Sequence, residues 1–281
     1  MEIVGREPIW TTEFERLSHM PDEDIDLAVA ALLIAQSEYP DLEGESELEA
    51  LEDMASVARK RIDEDDDESP AHRMNTIGRW LADDLGFTGS HDNYYDPRNS
   101  YLNDVLDRRI GIPISLSLIY VEVGRRAGVP LVGIGMPGHF LVGQNGAPDI
   151  YLDPFHDGSL ISRKEAKNLF SRMMASAPAG APAEWNDAYL YPVSNRSFVT
   201  RMLRNLKAIH LRFQDYGRAI NVLDMLVAIH PDLPEERRDR GLAHFRRGNR
   251  AQALSDLKRF AESRPPGGGD PTIDEIIRHL G

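Results

Sequence analysis

Cysteine is absent from the 281-residue chain. Its absence excludes disulfide bridges, thiolate metal sites and a cysteine nucleophile anywhere in this sequence. Long apolar runs are also missing, since none approaches the roughly 18 residues that a membrane helix needs. The opening residues, MEIVGREPIW, carry neither the basic nor the apolar region of a signal peptide. We therefore expect a cytoplasmic protein that makes no contact with a membrane.

Positive charge is in deficit, because 32 Lys and Arg stand against 46 Asp and Glu, a net charge of −14. Nucleic acids are bound mainly by cations that neutralise phosphates, so this balance argues against a nucleic-acid partner. The charge is distributed unevenly along the chain. Residues 41–70 hold 13 acidic and 3 basic residues, giving −10, whereas residues 196–281 hold 16 basic and 11 acidic residues, giving +5.

Three amphipathic helices are predicted in the N-terminal part, over residues 22–38, 46–62 and 72–85. Ser46 followed by Glu49 is typical of a capping box at the start of the second helix. The acidic run 64–68 then lies between the second and third helices. It lacks the glycine and the terminal glutamate of a calcium-binding loop, so we interpret it as a solvated charge run.

The central stretch crowds aromatic, glycine, proline, histidine and aspartate residues between apolar runs. A short helix is predicted up to Arg108, and a second from Pro113, which suits a first helical turn. The second helix is apolar on nearly every face, which indicates that it is buried. The β-rich runs that follow are separated by glycine-rich turns and predict adjacent antiparallel strands over 131–134, 139–142 and 149–152.

A hairpin of the last two strands brings His139 next to Asp153, and we expect their side chains to lie within hydrogen-bonding distance. A strand histidine, a neighbouring carboxylate and a nucleophile at a helix N-terminus form the site of enzymes of the transglutaminase and papain type. The alternative interpretation is that His139 is a hydrogen-bonded core histidine with no function.

The runs GIPISLSLIYVEVGRRAGVP, PGHFLV and YLDPF resemble the transglutaminase-like core of bacterial SirB-type proteins, which carry tetratricopeptide repeats at their C-terminal end. The resemblance implies an α+β fold: a helical N-terminal part, a papain-like core with a small antiparallel sheet, and an all-α repeat domain. It also places His139 and Asp153 on the family's histidine and aspartate. The position of the family's cysteine, counted back from Gly128, is occupied by Pro113.

Hydroxyl groups on the same helix are the candidates to replace the missing thiol. Relative to Pro113, Ser115 is rotated by roughly 200° about the helix axis and Ser117 by roughly 40°. Ser117 is therefore the candidate catalytic hydroxyl, although it lies one turn deeper. For Tyr94 and Tyr95 we favour packing in the core over a role in lining a substrate groove. The predicted groove residues are Tyr94, Tyr95, Asn103, Pro113 and Ser115.

Histidine and carboxylate residues on both sides of the core suggest a metal site as another alternative. Their spacing matches no local ligand motif, so we predict no metal and no other cofactor. Asp92 and Asp96 are interpreted instead as turn residues whose side chains bond the nearby backbone. The residues considered as ligands are His91, Asp92, Asp96, His156 and Asp157.

An internal repeat occupies the C-terminal part, where matched alanine, leucine, histidine and proline residues recur at the 34-residue tetratricopeptide period. The predicted domains are 1–194 and 195–281, with an alanine- and proline-rich linker at 175–182. Two repeats leave an apolar end, which we expect the core domain or a final helix at 272–280 to cover. The partner-binding candidates on the repeats are Leu203, Leu206, His210 and His244.

Two functions are compatible with these features. The first hypothesis is a non-catalytic protein that keeps His139 and Asp153 as a buried pair and binds a protein or peptide through its repeats. The second is a hydrolase or transferase acting on amide bonds, with a serine or a bound water in place of the thiol. We favour the first because the chain has no cysteine. The sequence indicates no particular oligomeric state.

Overall fold

A computed structural model describes residues 9–175, 184–265 and 268–281, in which the chain forms two compact units. The site unit consists of residues 26–35 and 41–202, and the repeat unit of residues 1–25, 36–40 and 203–281. The predicted boundary at 194/195 marks the start of a helix, whereas the units divide within that helix, after Met202. Beyond Ala175, the predicted linker lies outside the described residues.

The described residues are mostly helical, as expected from the fold class. None of the described helices is long and apolar enough to cross a membrane. The helices are α1 Ile9–His19, α2 Leu27–Gln36, α3 Glu45–Asp63, α4 Pro70–Arg79, α5 Leu102–Arg108, α6 Pro113–Arg126, α7 Arg163–Ala175, α8 Asn195–Arg212, α9 Tyr216–Ile229, α10 Pro234–Arg247, α11 Arg250–Glu262 and α12 Pro271–Leu280.

Helix α6 is the centre of the site unit. Every residue from Pro113 to Gly124 is buried, because α3, α4, α5 and part of the sheet pack around the helix. Pro113 occupies its first turn, where the missing N–H removes no helical hydrogen bond. Gly128 follows the helix in the left-handed region, with φ +87°. The prediction of a buried helix from Pro113 is confirmed.

The main sheet has four antiparallel strands, which are neighbours in chain order. Its strands are β3 Leu131–Ile134, β4 Leu141–Gln144, β5 Ala147–Asp153 and β6 Ser159–Ser162. Val142 pairs with Leu152, so the next pair along the ladder joins the start of β4 to the end of β5. The predicted strand 139–142 is wrong at its start, since His139 lies ahead of β4 in a turn closed by its N–H on the Met136 carbonyl. Two short parallel strands, β1 Thr88–Gly89 and β2 Ile110–Gly111, were not predicted.

The start of α3 differs from the predicted cap. Helix α3 begins after Gly44, which adopts φ +86°, and Ser46 bonds its neighbour Glu47 instead of forming the predicted capping box. At the start of α7, by contrast, Ser162 and Glu165 bond each other's backbone N–H reciprocally, as a capping box does.

In the repeat unit, α9 packs on α10 and α10 on α11. Residues related by the 34-residue period, Ala219 with Ala253 and Leu223 with Leu257, are all fully buried. Helix α12 packs on α11, which agrees with the expected cover by a final helix. Helix α1 packs on α9, although no helix was predicted before residue 22. The helices α9, α10 and α11 are thus covered by α1 at one end and by α12 at the other.

Candidate functional site

The strand side of the site is built by β4 and β5. His139 precedes β4 and Asp153 ends β5, and the two side chains meet with His139 Nε2 2.9 Å from an oxygen of Asp153. Both residues are buried, with 2% and 3% of their surface exposed. The predicted contact between them is therefore present in the structure.

Asp153 accepts more hydrogen bonds than the predicted one. Its second oxygen lies 2.7 Å from Nδ1 of His156, and its first also accepts the backbone N–H groups of Phe155 and His156. Burial alone raises the pKa of Asp153, but the hydrogen bonds from the two histidines outweigh it and hold the pKa below its usual range. The same carboxylate raises the pKa of His156.

The other ring nitrogen of His139, Nδ1, is buried and has no hydrogen-bond partner among the described residues. A carboxylate can only accept, so the proton of a neutral His139 ring lies on Nε2 and leaves Nδ1 as an acceptor. A general base in this class of site presents such a nitrogen to its nucleophile. In this chain the nitrogen is a buried acceptor with no bonded donor in the described residues.

Arg201 fixes the turn that carries His139. One nitrogen of its guanidinium donates to the carbonyls of Met136 and His139, each at 2.7 Å, and the group lies over the ring of Phe140. Burial lowers the pKa of Arg201. Arg201, which belongs to α8, thus fixes the backbone at both ends of the turn.

On the helix side, no described residue at the tip of α6 offers a free nucleophile. Pro113 is buried in the first turn of α6. The Ser115 hydroxyl donates to the carbonyl of Asn99 at 2.6 Å and accepts the N–H of Ile112 at 3.1 Å. A side chain on Gly111 would bring a carbon to 2.7 Å from that hydroxyl, so the turn requires glycine. Ser115 therefore serves as the cap of α6.

Ser117 differs from Ser115 in that its buried hydroxyl has no hydrogen-bond partner in the described part of the chain. The oxygen of the Asn103 side chain is buried without a partner in the same way. Unbonded buried polar atoms are uncommon and usually mark a water or ligand position. The two predicted site residues thus have hydrogen-bonding capacity to spare, and the structure places Ser117 in the fully buried part of α6.

Aromatic rings form the rim of the site. Tyr94 and Tyr95 are 37% and 46% exposed, so the favoured interpretation that they pack in the core is wrong. The Tyr94 ring stands 5.4 Å from that of Tyr95 and 6.2 Å from that of Phe155, and His91 contacts Phe155 at 4.8 Å between ring centres. A cavity of about 270 Å³ opens beside Asp153 and His156, between β6 and α7. The cavity reaches the strand side at Asp153 and His156.

One group in the described residues has the composition of a metal site, because the ligand atoms of His139, Asp153 and His156 lie within 4.8 Å of one another. A ligating histidine usually donates its other N–H to a partner, and Nδ1 of His139 has none. The three side chains are therefore better explained as a hydrogen-bonded group than as a metal centre. Of the other residues considered, His91 and Asp92 are exposed, Asp96 caps the turn at Pro97–Asn99, and Asp157 accepts from Thr88.

The predicted partner-binding residues are mostly unavailable at the surface. Leu203, Leu206 and His210 are buried, so they stabilise the folded chain and are not open to a partner. His244 is partly exposed and contacts Asn249. The prediction failed because buried and partner-facing leucines have the same spacing on a repeat helix.

Two parts of the chain match known protein families. Residues 45–204 match the transglutaminase-like superfamily, which is more than half of the sequence. The chain belongs to the transglutaminase-like superfamily. Residues 206–280 match the tetratricopeptide repeat, and no solved structure matches the chain.

Two bacterial relatives are similar along nearly the whole chain. The UPF0162 protein of Xylella fastidiosa (strain Temecula1 / ATCC 700964) is 38% identical over 275 residues, covering 97% of this chain and 94% of that protein. The UPF0162 protein of Vibrio cholerae is 31% identical over 258 residues, covering 90% and 92%. F-box only protein 21 of Homo sapiens is 35% identical over 172 residues, 57% of this chain and 26% of that protein. The similarity to the human protein thus extends over part of each chain.

Proposed function

We propose that the site unit is a non-catalytic transglutaminase-like module that holds a segment of a partner protein at its aromatic rim, and that the repeat unit provides a second surface for protein partners. The observation that carries this proposal is the chemistry of α6. Pro113 has no nucleophilic atom, and the chain contains no cysteine to take its place. Acyl transfer through a covalent thioester then has no attacking group.

Ser115, the serine nearest to the start of α6, does not replace the thiol. The Ser115 hydroxyl is engaged with Asn99 and Ile112, and freeing it would break both of these buried hydrogen bonds. The hydroxyl therefore has a structural role, and its loss should affect stability before activity.

Binding is supported by what the strand side leaves open. Nδ1 of His139 is an unused acceptor, and the Phe155 ring lies 6.0 Å from the His139 ring and 6.2 Å from the exposed ring of Tyr94. A peptide offers a backbone N–H for the nitrogen and apolar side chains for the rings, and tyrosines supply large contact areas at low entropic cost. A protein segment therefore suits the chemistry of this rim.

The test is transamidation by the intact chain, with casein as glutamine donor and dansylcadaverine as amine, followed by fluorescence titration of binding to the same casein. We expect no incorporation of the amine, and binding that weakens in Tyr94→Ala and Tyr95→Ala but not in Tyr191→Ala, whose exposed ring lines a different cavity. Incorporation that disappears in His139→Ala would overturn the non-catalytic proposal.

The second candidate is an amide hydrolase or transferase that uses Ser117, favoured by one observation: Ser117 Oγ and His139 Nδ1 are both buried without partners. In that reaction the hydroxyl oxygen attacks the amide carbonyl while Nδ1 accepts its proton, and the amine leaves with that proton. Water then cleaves the ester. Activity lost in Ser117→Ala and retained in Ser115→Ala would establish it, whereas inactivity of the unmodified chain supports the binding module.

A further inference from the structure

His156 is the accessible member of the group that it forms with His139 and Asp153. It lies three residues beyond the end of β5, and 45% of its side-chain surface is exposed, whereas His139 is buried. Its Nδ1 lies 2.7 Å from an oxygen of Asp153, and its Nε2 bonds no atom in the described part of the chain. The exposed ring of the group is therefore the one outside the predicted histidine–aspartate pair.

Asp153 determines which nitrogen of His156 is nucleophilic. A carboxylate only accepts hydrogen bonds, so the ring proton lies on Nδ1 and the lone pair of the neutral ring on Nε2. Burial opposes the ionisation of Asp153, but the hydrogen bonds from the two histidines outweigh it and hold its pKa below the usual range. The carboxylate is therefore charged at neutral pH, and it stabilises the cationic ring that forms when Nε2 attacks an electrophile.

The turn that carries His156 has a fixed backbone. Asp157 and Gly158 adopt φ +56° and +60°, in the left-handed region. A side chain on Gly158 would place a carbon 2.6 Å from the Tyr120 hydroxyl, so this position requires glycine. The hydroxyl of Thr88 also donates to Asp157 at 3.3 Å. The turn and the bond to Asp153 together hold the ring in one orientation.

The cavity of about 270 Å³ beside His156 has one wall from α7. The lining residues of this helix recur every three or four positions and so share one face. They are Glu165, Asn168, Leu169 and Arg172. Glu165 is engaged in the helix cap, where one of its oxygens accepts the N–H and the hydroxyl of Ser162, each at 2.7 Å. Arg172 lies two turns further on, about 10 Å along the axis, so the two charges occupy opposite ends of the wall.

Arg172 is the charged group of α7 that acts on His156. The hydrogen bond to Asp153 raises the pKa of His156, whereas burial and the charge of Arg172 lower it. Arg172 is exposed and forms no ion pair or hydrogen bond with any residue that the structure describes. Such a guanidinium favours a group that brings negative charge onto the nearby nitrogen, because the bond it donates is then charge-assisted. A neutral acyl group gains nothing from it, and a metal cation is repelled.

We propose that His156 is a phosphoryl-acceptor site, with Nε2 as the attacking atom and Arg172 as the donor to the phosphoryl oxygens. The lone pair of Nε2 forms a bond to the phosphorus of a small activated phosphoryl donor, while the bond between phosphorus and its leaving group breaks. The leaving group departs with that electron pair, and Nδ1 keeps its proton opposite Asp153. This inference goes beyond the proposed function, because a single modification of the ring is not turnover and uses no group of α6.

The experiment is reaction of the full chain with phosphoramidate at neutral pH, in which ammonia is the leaving group. Mass spectrometry locates the modified residues, and phosphorus NMR follows the rate. The internal controls are three exposed histidines that have no carboxylate partner in the described chain: His19, His91 and His279. We expect His156 to react about tenfold faster or more than each control, because a buried carboxylate orients its ring and stabilises the product. A rate at His156 no higher than at the controls, or no modification of it, overturns the proposal.

The matched variants are Arg172→Gln and Lys167→Gln, which each remove one positive charge from an exposed position of α7, only the first of them in the cavity. Arg172→Gln should slow phosphorylation of His156 by about fivefold or more, since it removes a charge-assisted contact to the phosphoryl group. Lys167→Gln should react as the unmodified chain does. An unchanged rate in Arg172→Gln contradicts the role assigned to Arg172.

A neutral reagent separates binding of the phosphoryl group from a general effect on the ring. Diethyl pyrocarbonate acylates the same nitrogen, and the reaction is run at a pH where NMR shows the His156 ring to be neutral in all variants. Arg172→Gln should leave this rate unchanged, and equal slowing of both reactions contradicts the proposal. Amine incorporation in the transamidation assay depends on a nucleophile at α6, so failure of either test leaves the other intact.

Discussion

The strand side and the helix side of the site differ in how they are bonded. On the strand side, Asp153 accepts four hydrogen bonds, from two histidine rings and two backbone N–H groups. On the helix side, Pro113 offers no polar side chain and Ser115 is committed to the helix cap. The strand side thus has every group that orients a catalytic imidazole, and the helix side lacks the group that the imidazole would activate.

A histidine paired with an aspartate is therefore not by itself evidence of catalysis. Asp153 also closes the turn that follows β5, because it accepts the N–H groups of Phe155 and His156. The pair therefore has a structural reason to exist whether or not a nucleophile is present. Only the helix side distinguishes an enzyme from a binding module.

The largest expected effect comes from removing the carboxylate of the strand side. Asp153→Ala leaves four donors without their acceptor in a buried site, and we expect a loss of about 3 kcal/mol in the free energy of unfolding. Urea denaturation measures it. Asp92→Ala is the control, because Asp92 is exposed at the same rim. A loss below about 1 kcal/mol for Asp153→Ala would mean that its hydrogen bonds do not hold the turn.

A smaller effect should separate the two serines of α6. Ser115→Ala removes a helix cap and should destabilise the fold by about 1–2 kcal/mol. Ser117→Ala removes a buried hydroxyl that bonds nothing in the described chain, so the expected change is within about 0.5 kcal/mol of zero or slightly stabilising. Thermal unfolding of both variants tests the comparison. Equal destabilisation would show that Ser117 has a bonding partner, and the second candidate function would gain support.

The smallest effect concerns how the contributions of Asp153 and His156 to stability depend on pH. The pKa of Asp153 is lowered, so its contribution to stability is present above the ordinary value of 3.8 and is lost as pH falls through the lower folded value. The pKa of His156 is raised, so its contribution is present below the ordinary value of 6.5 and is lost as pH rises through the raised value.

Titration of the His156 ring followed by NMR measures the second of these shifts. We expect its midpoint above 6.5 in the unmodified chain and a lower midpoint in Asp153→Asn, because the attracting charge is gone. An unchanged midpoint in Asp153→Asn would show that another group raises the pKa of His156.

The sequence predicted those parts of the site that depend on local pattern. Helix α6, its start at Pro113, the hairpin, and the meeting of His139 with Asp153 follow from periodicity and turn residues, and all are present. The capping box at Ser46 failed because Gly44 provides the left-handed turn that begins α3. Local signals compete within two or three residues, and the start of a helix depends on which of them forms the cap.

Long-range contacts could not be predicted. Arg201 bonds the carbonyls of Met136 and His139 from more than sixty positions away, and no pattern near Arg201 indicates it. Asn99 accepts the Ser115 hydroxyl through its backbone carbonyl, which carries no side-chain signal. Burial of Leu203 and Leu206 likewise depends on tertiary packing rather than on their spacing. A sequence can show which residue types are present, but these pairings require the fold.

The most direct test of the account is to supply the missing group. In Pro113→Cys, a thiol at the start of α6 should meet Nδ1 of His139 and the positive end of the helix, both of which favour the thiolate. Under native conditions we predict alkylation by iodoacetamide with an apparent thiol pKa well below the usual value of about 8.5, and a return toward that value when His139→Ala is added. An ordinary thiol pKa that is indifferent to His139, or a thiol that does not react at all, would contradict the claim that this site is complete except for its nucleophile.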